Sequence, residues 1–395
     1  VRVLLFTGKG GVGKTTTAAA TAAVAAARGA KVLVLSADPA HSLADAYGVA
    51  LGAEPVQLEP GLYGCQVDTQ AAFERGWTEI QGYLLELLAR GGAGPLAAEE
   101  LTVLPVAEEV LALLEVHAQV ASGRWDLVVV DCAATGETLR LLALPEVLSW
   151  YVEKVFPAQR RVLRAARPLL GRSMPLPGDG VLAAASQLLA QLAQVRELLT
   201  APTTTVRLVL TPEAVVVAEA RRTITSLALH GFRVDEVIAN RVFPASTDPF
   251  VAGWVAAQAE QLAVVHRDLG ALATVRELAY RPAEPVGAAA LRALGEELYA
   301  GASVAGEPAE IDLVAVERTD EEFVLVLPLP LAERSDLALA RSGDDLVVTV
   351  GGTRRLVALP SVLTRCQVSG AALTDGRLQV RFRPDPARWP EALRR

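Results

Sequence analysis

Two hydrophobic patterns divide the chain. Up to about residue 300, short unbroken apolar runs alternate with stretches of helical periodicity. The runs VRVLLF, AKVLVLSAD, WDLVVVD, TVRLVLT (205–211) and VDEVIANRV (234–242) read as strands without polar alternation, as in a parallel sheet covered on both faces. Between the first two lies TTTAAATAAVAAARG, a helix ending at Gly29. Strands alternating with helices predict an α/β class domain with a doubly wound, mostly parallel sheet over residues 1–300.

Two insertions interrupt this alternation, at about 70–120 and 145–200. In the first, Phe73, Trp77, Ile80, Leu84 and Leu87 follow helical spacing. The second holds Trp150, Tyr151 and Phe156 close together, then a helical Leu/Val repeat from Val181 to Leu199. Residue by residue, these positions suit core packing. The stretch 169–180, with the only methionine, Met174, reads as a Gly- and Pro-rich loop.

At 301–310 the character changes to a linker of small residues, Gly and Pro. Beyond it FVLVLPLP, DDLVVTVGG, TRRLVALP and GRLQVRFRP predict short antiparallel strands over 311–383, a small β-sandwich, followed by a tail at 384–395. In the last strand Leu378, Val380 and Phe382 should face inward, with Arg377, Gln379 and Arg381 toward water.

Composition narrows the chemistry. A formal net charge of −8 over 395 residues argues against a nucleic-acid surface. Cys65, Cys132 and Cys366 lie far apart, with no C-x-x-C, so neither zinc nor a disulfide framework is expected. With a strand read from the first residues, no signal peptide is expected, and no apolar run has spanning length. These features predict a cytoplasmic protein. Arginine supplies most of the positive charge, yet one loop carries both Lys9 and Lys14.

That loop, GKGGVGKTT (8–16), fits two phosphate-binding patterns. Gly8, Gly10 and Gly13 match G-x-G-x-x-G, with Asp38 where a ribose-binding acid would stand; Gly8, Gly13, Lys14 and Thr15 match G-x-x-x-x-G-K-[ST]. The residues after Gly13 decide for a triphosphate. Loop N–H groups from Gly8 through Thr16, with Lys9, Gly10, Gly11, Val12, Gly13 and Lys14 between them, would cradle phosphates. Lys14 would reach the β- and γ-phosphates, and the Thr15 hydroxyl would hold Mg²⁺. Asp131, ending an apolar strand, stands where a carboxylate holds Mg²⁺ directly or through water.

The form K-G-G-x-G-K-[ST] resembles the deviant P-loop of the MinD, ParA, nitrogenase iron protein and ArsA superfamily. Within it, LSADPAHSL (35–43) and DCAATGETLRLLALP (131–145) resemble the two switch segments of ArsA and of the ATPases that guide tail-anchored membrane proteins. The resemblance implies a homodimer in which Lys9 reaches the partner's nucleotide. It implies that Asp38 positions the attacking water, that Asp131 organises Mg²⁺, and that Asn240 contacts adenine beneath a loop at 281–287. It also implies that the helical insertions form a nucleotide-controlled groove for an apolar client helix, with transient membrane association. The C-terminal strands resemble the α-crystallin domain of small heat-shock proteins, through Leu329-Pro330, Asp345 to Val348, Arg355 to Pro360 and Ala372 to Val380. The I-x-I/V tail of those proteins is missing, so a docked module is expected.

The function expected is therefore an ATP-hydrolysing homodimeric switch that handles a membrane-destined or apolar client. An arsenite-efflux ATPase subunit and a MinD/ParA-like positioning ATPase are the alternatives. The first is weakened by the absence of a plausible cysteine trio, the second by the absence of a basic amphipathic terminus.

Overall fold

The computed structural model describes residues 1–38, 42–67, 105–132, 179–306, 314–319 and 322–389. Eight strands form one sheet: β1 (Arg2–Thr7), β2 (Val32–Ser36), β3 (Val56–Glu59), β4 (Leu62–Gln66), β5 (Leu127–Asp131), β6 (Thr204–Leu210), β7 (Val234–Val242) and β8 (Thr274–Ala279). Their order is β3-β4-β2-β5-β1-β6-β7-β8. The chain separates into two compact units, one of Val1–Leu4, Thr15–Ala201 and Pro285–Gly295, the other of Leu5–Lys14, Pro202–Glu284 and Glu296–Arg395.

In the first unit β2 pairs in parallel with both β4 and β5, while β3 returns antiparallel to β4. Every residue of β2 and β5 is buried, which is why both read as unbroken apolar runs. The β3–β4 hairpin lies outside the expected alternation; its strands are short, and LYGCQ carries a glycine and a polar end. Helix α1 (Lys14–Ala27) is built almost wholly of Ala and Thr because its surroundings leave no room for more. Ala18, Ala19, Ala20 and Ala22 are fully buried, and a Cβ on Gly295 would stand 2.4 Å from Ala20 O. Helix α2 (Ser42–Tyr47) is tied to α1 by Tyr47, whose hydroxyl donates to Ala19 O at 2.9 Å.

The described parts of the two insertions are α3 (Pro105–Ala121) and α4 (Asp179–Thr200), which pack on each other. Leu113 and Val116 of α3 and Leu192, Val195 and Leu199 of α4 are buried, as the periodicity of that stretch requires. Phe73, Trp77, Ile80, Leu84, Leu87, Trp150, Tyr151, Phe156 and Met174 lie outside the described residues.

In the second unit β6, β7 and β8 run parallel, with helices α5 (Ala214–His230) and α6 (Pro249–Leu269) between them. Asp248 caps α6 by accepting from the N–H groups of Phe250 and Val251. At the far end of this sheet β6 buries a charge, Arg207. Its guanidinium donates to Tyr299 Oη at 2.6 Å, near the end of α7 (Ala288–Tyr299), and to Val304 O at 2.7 Å. It lies 3.3 Å from Asp235 and 3.4 Å from Glu236, which Arg276 also meets at 2.9 Å. Burial pushes the Glu236 carboxyl above its ordinary pKa, against the opposing pull of Arg207 and Arg276. The buried charge cluster thus fastens the first residues of the linker to the sheet.

The C-terminal region of the same unit is two antiparallel sheets. One has the order β14 (Cys366–Thr374), β15 (Arg377–Pro384), β10 (Phe323–Pro328), β9 (Ala315–Arg318); the other is β11 (Leu337–Ser342), β12 (Asp345–Val350), β13 (Thr353–Ala358). A short helix, α8 (Ser361–Thr364), leads from β13 into β14. Leu378, Val380 and Phe382 are fully buried, opposite Leu327, Leu325 and Phe323, while Arg377 and Arg381 are exposed, as the alternation predicts. Gln379 is half-buried rather than exposed. Strands β9, β11 and β14 were not legible as alternating runs: β9 and β11 are partly exposed, and β14 is broken by a bulge between Val368 and Gly370.

The sandwich is seated on α5. Leu229 of that helix belongs to the sandwich core, together with Leu325, Leu346, Val348 and Phe382. Thr225 Oγ1 donates to Pro330 O at 2.7 Å, Ser226 Oγ and Thr353 Oγ1 are 3.1 Å apart, and the Arg355 guanidinium donates to Leu229 O. The contact segment Leu329–Ala332 is a tight turn closed by Ala332 N–H to Leu329 O, with Leu331 at φ 62°. Glycine is the usual residue there. Leu331 lines a cavity on each side of the turn, beside α5.

Candidate functional site

The phosphate-type loop follows β1 without a break. Its shape depends on two glycines for which no side chain would fit. Gly8 has φ 155°, and a Cβ there would lie 2.1 Å from Val209 O on β6. Gly13 has φ 94°, and its Cβ would lie 2.3 Å from Asn240 Nδ2. A Cβ at Gly10 or Gly11, by contrast, would meet nothing within 4 Å. The crown of the loop therefore presents bare backbone to open space, the surface a phosphate group needs.

Asn240, at the end of β7, fixes this loop. Its Nδ2 donates to Val12 O at 2.8 Å, and its Oδ1 accepts the Arg241 N–H at 2.9 Å. The tie spans 228 positions of sequence, so no local pattern could have revealed it.

The two lysines of the loop part company. Lys14, the first residue of α1, is 7% exposed, and its Nζ approaches Lys9 O at 3.5 Å. The Lys9 side chain is 43% exposed and lies 3.9 Å from Glu219 Oε2 on α5.

In the first unit the other expected residues gather around two serines. Asp131 is fully buried at the end of β5 and stands opposite Ser36 in the parallel ladder. Its carbonyl oxygen accepts the Ala37 N–H at 2.9 Å. One residue later Asp38 is held at the mouth of β2, its N–H donating to Ser36 Oγ at 3.2 Å. Thr15 Oγ1 lies 3.1 Å from Ser42 Oγ at the start of α2. Ser36 and Ser42 lie within the first switch-like segment, but a lone hydroxyl acquires meaning only through its partner. Thr16 follows Thr15 on the first turn of α1, half-buried. Cys132, next to Asp131, is buried. Burial also pushes the Cys65 thiol of β4 up to about 12, leaving it a core residue without thiolate chemistry.

A glycine loop ending in a buried lysine, and in the first unit a threonine on the first helical turn and a buried aspartate ending a sheet strand, are the residue types a nucleoside triphosphatase uses. Comparison with known proteins decides which. A family model described as anion-transporting ATPase matches residues 1–300, and a second, described as an HSP20-like domain found in ArsA, matches residues 320–382. The chain belongs to the ArsA ATPase family. It is 33% identical over 389 residues to a putative arsenical pump-driving ATPase of Chlorobaculum tepidum, covering 97% of this chain and 96% of the relative. An uncharacterized protein of Streptomyces coelicolor is 38% identical over 396 residues, covering 99% of each. An ATPase ASNA1 homolog of Trypanosoma cruzi is 31% identical over 269 residues, 61% of this chain and 75% of that one. Membership of the family makes the chain an ATPase that binds ATP, and the C-terminal sheets are the family's HSP20-like domain. Among the described residues, no helix is long and apolar enough to cross a membrane.

Proposed function

We propose that the chain works as a homodimeric ATP switch in the cytoplasm, its nucleotide state controlling the hold on an apolar client helix. The observation that carries the dimer is the division of the loop's two lysines. Lys14 is buried at the helix start, where it suits the chain's own β- and γ-phosphates, while the Lys9 side chain is 43% exposed and only loosely placed beside Glu219, so it could swing toward a second subunit.

Within one subunit, the loop N–H groups from Gly8 to Thr16 bind the phosphates, and Gly10 and Gly11 keep that surface bare. The Thr15 hydroxyl, oriented by Ser42, and the Asp131 carboxylate would hold Mg²⁺, whose charge would neutralise the phosphate oxygens. Asp38, held by Ser36, positions the attacking water. Asn240 holds the loop through Val12 O and keeps a second N–H for adenine. Phosphoryl transfer asks for this kind of positioning rather than covalent catalysis.

The targeting role rests on the family resemblance of the switch segments and on the ASNA1-type relative. Transient membrane contact would follow from the client. The arsenical pump is the competing reading because several relatives matched over nearly their whole length carry that name. A fluorescent apolar helical peptide separates the two. Its retention by the Asp38→Asn protein with ATP, and its release by the wild type on hydrolysis, is expected. ATP turnover stimulated by arsenite and indifferent to the peptide would favour the pump.

A further inference from the structure

Helix α5 touches two parts of the molecule that are far apart in sequence. Near its start, Glu219 faces Lys9 of the phosphate loop at 3.9 Å. Further along, Thr225, Ser226 and Leu229 carry the C-terminal sandwich. Glu219 lies less than two helical turns from Thr225 and about three from Leu229 on one continuous helix.

We propose that Glu219 is a positioning residue that holds Lys9 within its own subunit, and that the sandwich, by seating α5, sets that hold. The inference rests on the dimer reading of Lys9 given above. A lysine that must reach another subunit's nucleotide cannot at the same time lie against a carboxylate of its own subunit, so the two contacts compete. Both side chains are partly exposed, 43% for Lys9 and 31% for Glu219, and pairs of that kind bias a population about two- to fivefold rather than lock it. A soft hold is what a switch requires, since a partner subunit with nucleotide can release it.

The seat concentrates its contacts on one turn and one strand, so a bias can pass through few bonds. Its contact turn carries leucine in a left-handed conformation at Leu331, and the Thr225 hydrogen bond to Pro330 O closes on that same turn. The Arg355 guanidinium reaches from β13 to the carbonyl of Leu229. Cavities of about 430 and 370 Å³ flank the turn, and Leu331 lines both. A shift of the sandwich would therefore move α5 through few contacts, with Glu219 on the same rod.

The test is acetylation of the nucleotide-free full chain with N-hydroxysuccinimidyl acetate, with Lys9 read by mass spectrometry relative to Lys31. Glu219→Gln should raise the Lys9 rate about two- to fivefold. Thr225→Val, which loosens the seat, should raise it in the same direction. An unchanged Lys9 rate in Glu219→Gln overturns the hold, and an unchanged rate in Thr225→Val alone overturns the role of the sandwich. Self-association supplies a second arm. Glu219→Gln should lower the protein concentration for half-maximal dimerisation with ATP, read by sedimentation, by a similar factor, and should have no effect in a Lys9→Ala background. An equal effect in that background would show that Glu219 acts elsewhere. If acetylation responds as expected but Lys9→Ala leaves turnover intact, the dimer reading fails while the hold stands.

Discussion

Asp131 stands directly opposite Ser36 at the ends of two adjacent parallel strands, and Ser36 Oγ accepts the backbone N–H of Asp38. One serine thus joins the carboxylate expected at Mg²⁺ to the one expected at water. Asp38→Asn should cut ATP turnover by about 10²-fold or more while leaving ATP affinity within a fewfold. Ser36→Ala should cost about one hydrogen bond, roughly five- to tenfold in kcat, since it misplaces Asp38 without removing it. Steady-state hydrolysis alongside fluorescent-nucleotide binding checks both.

The loop should be far less tolerant at Gly13 than at Gly10. Gly13→Ala forces φ 94° on an L side chain and drives its Cβ into Asn240. Gly10→Ala meets no atom within 4 Å, so its effect falls only on bound phosphate. Asn240→Ala removes the tie to Val12 O and should weaken ATP binding about five- to tenfold. Thermal unfolding should fall for Gly13→Ala and stay near wild type for Gly10→Ala.

Arg207 neutralises a buried acidic pair, and Arg207→Met leaves those carboxylates without their main counter-charge. A loss of about 3–5 kcal/mol in stability is expected at pH 8. The sign with pH follows from Glu236. Its folded pKa already lies above the unfolded value, so the stability it contributes is present below the unfolded pKa and lost as pH rises through the folded one. Removing Arg207 raises that pKa further. Urea midpoints at pH 5 and pH 8 should therefore differ more in the variant than in the wild type, with the variant more stable at pH 5.

At Leu331 two effects oppose. Glycine would relieve about 1 kcal/mol of left-handed backbone cost, but would give up about 1–2 kcal/mol of apolar burial by a half-buried side chain. Leu331→Gly should be slightly less stable than wild type. Leu331→Ala keeps the strain and loses most of that burial, so it should be less stable still. Calorimetry on the three proteins orders them.

The parallel strands were legible because burial on both faces leaves an unbroken apolar run, as in LVVVD of β5. The phosphate loop was legible because its residue types have few other uses together. The edge elements were harder to read. β3 and β8 each have an exposed side, and β9 and β11 pair only at sheet margins, so their apolar signal is diluted. Ser36, Ser42 and Glu219 escaped notice for another reason. Each acts through a partner that only folding brings close, and neither a serine nor a glutamate says so in sequence.

The shared site is tested most directly by mixing two inactive proteins, Lys9→Ala and Asp38→Asn. In a mixed dimer, the nucleotide of the Lys9→Ala subunit keeps its own Asp38 and receives Lys9 from the partner. Half the dimers are mixed and each has one complete site, so about a quarter of wild-type ATPase activity should return. Activity that stays at the level of the separate variants would contradict a lysine shared between subunits.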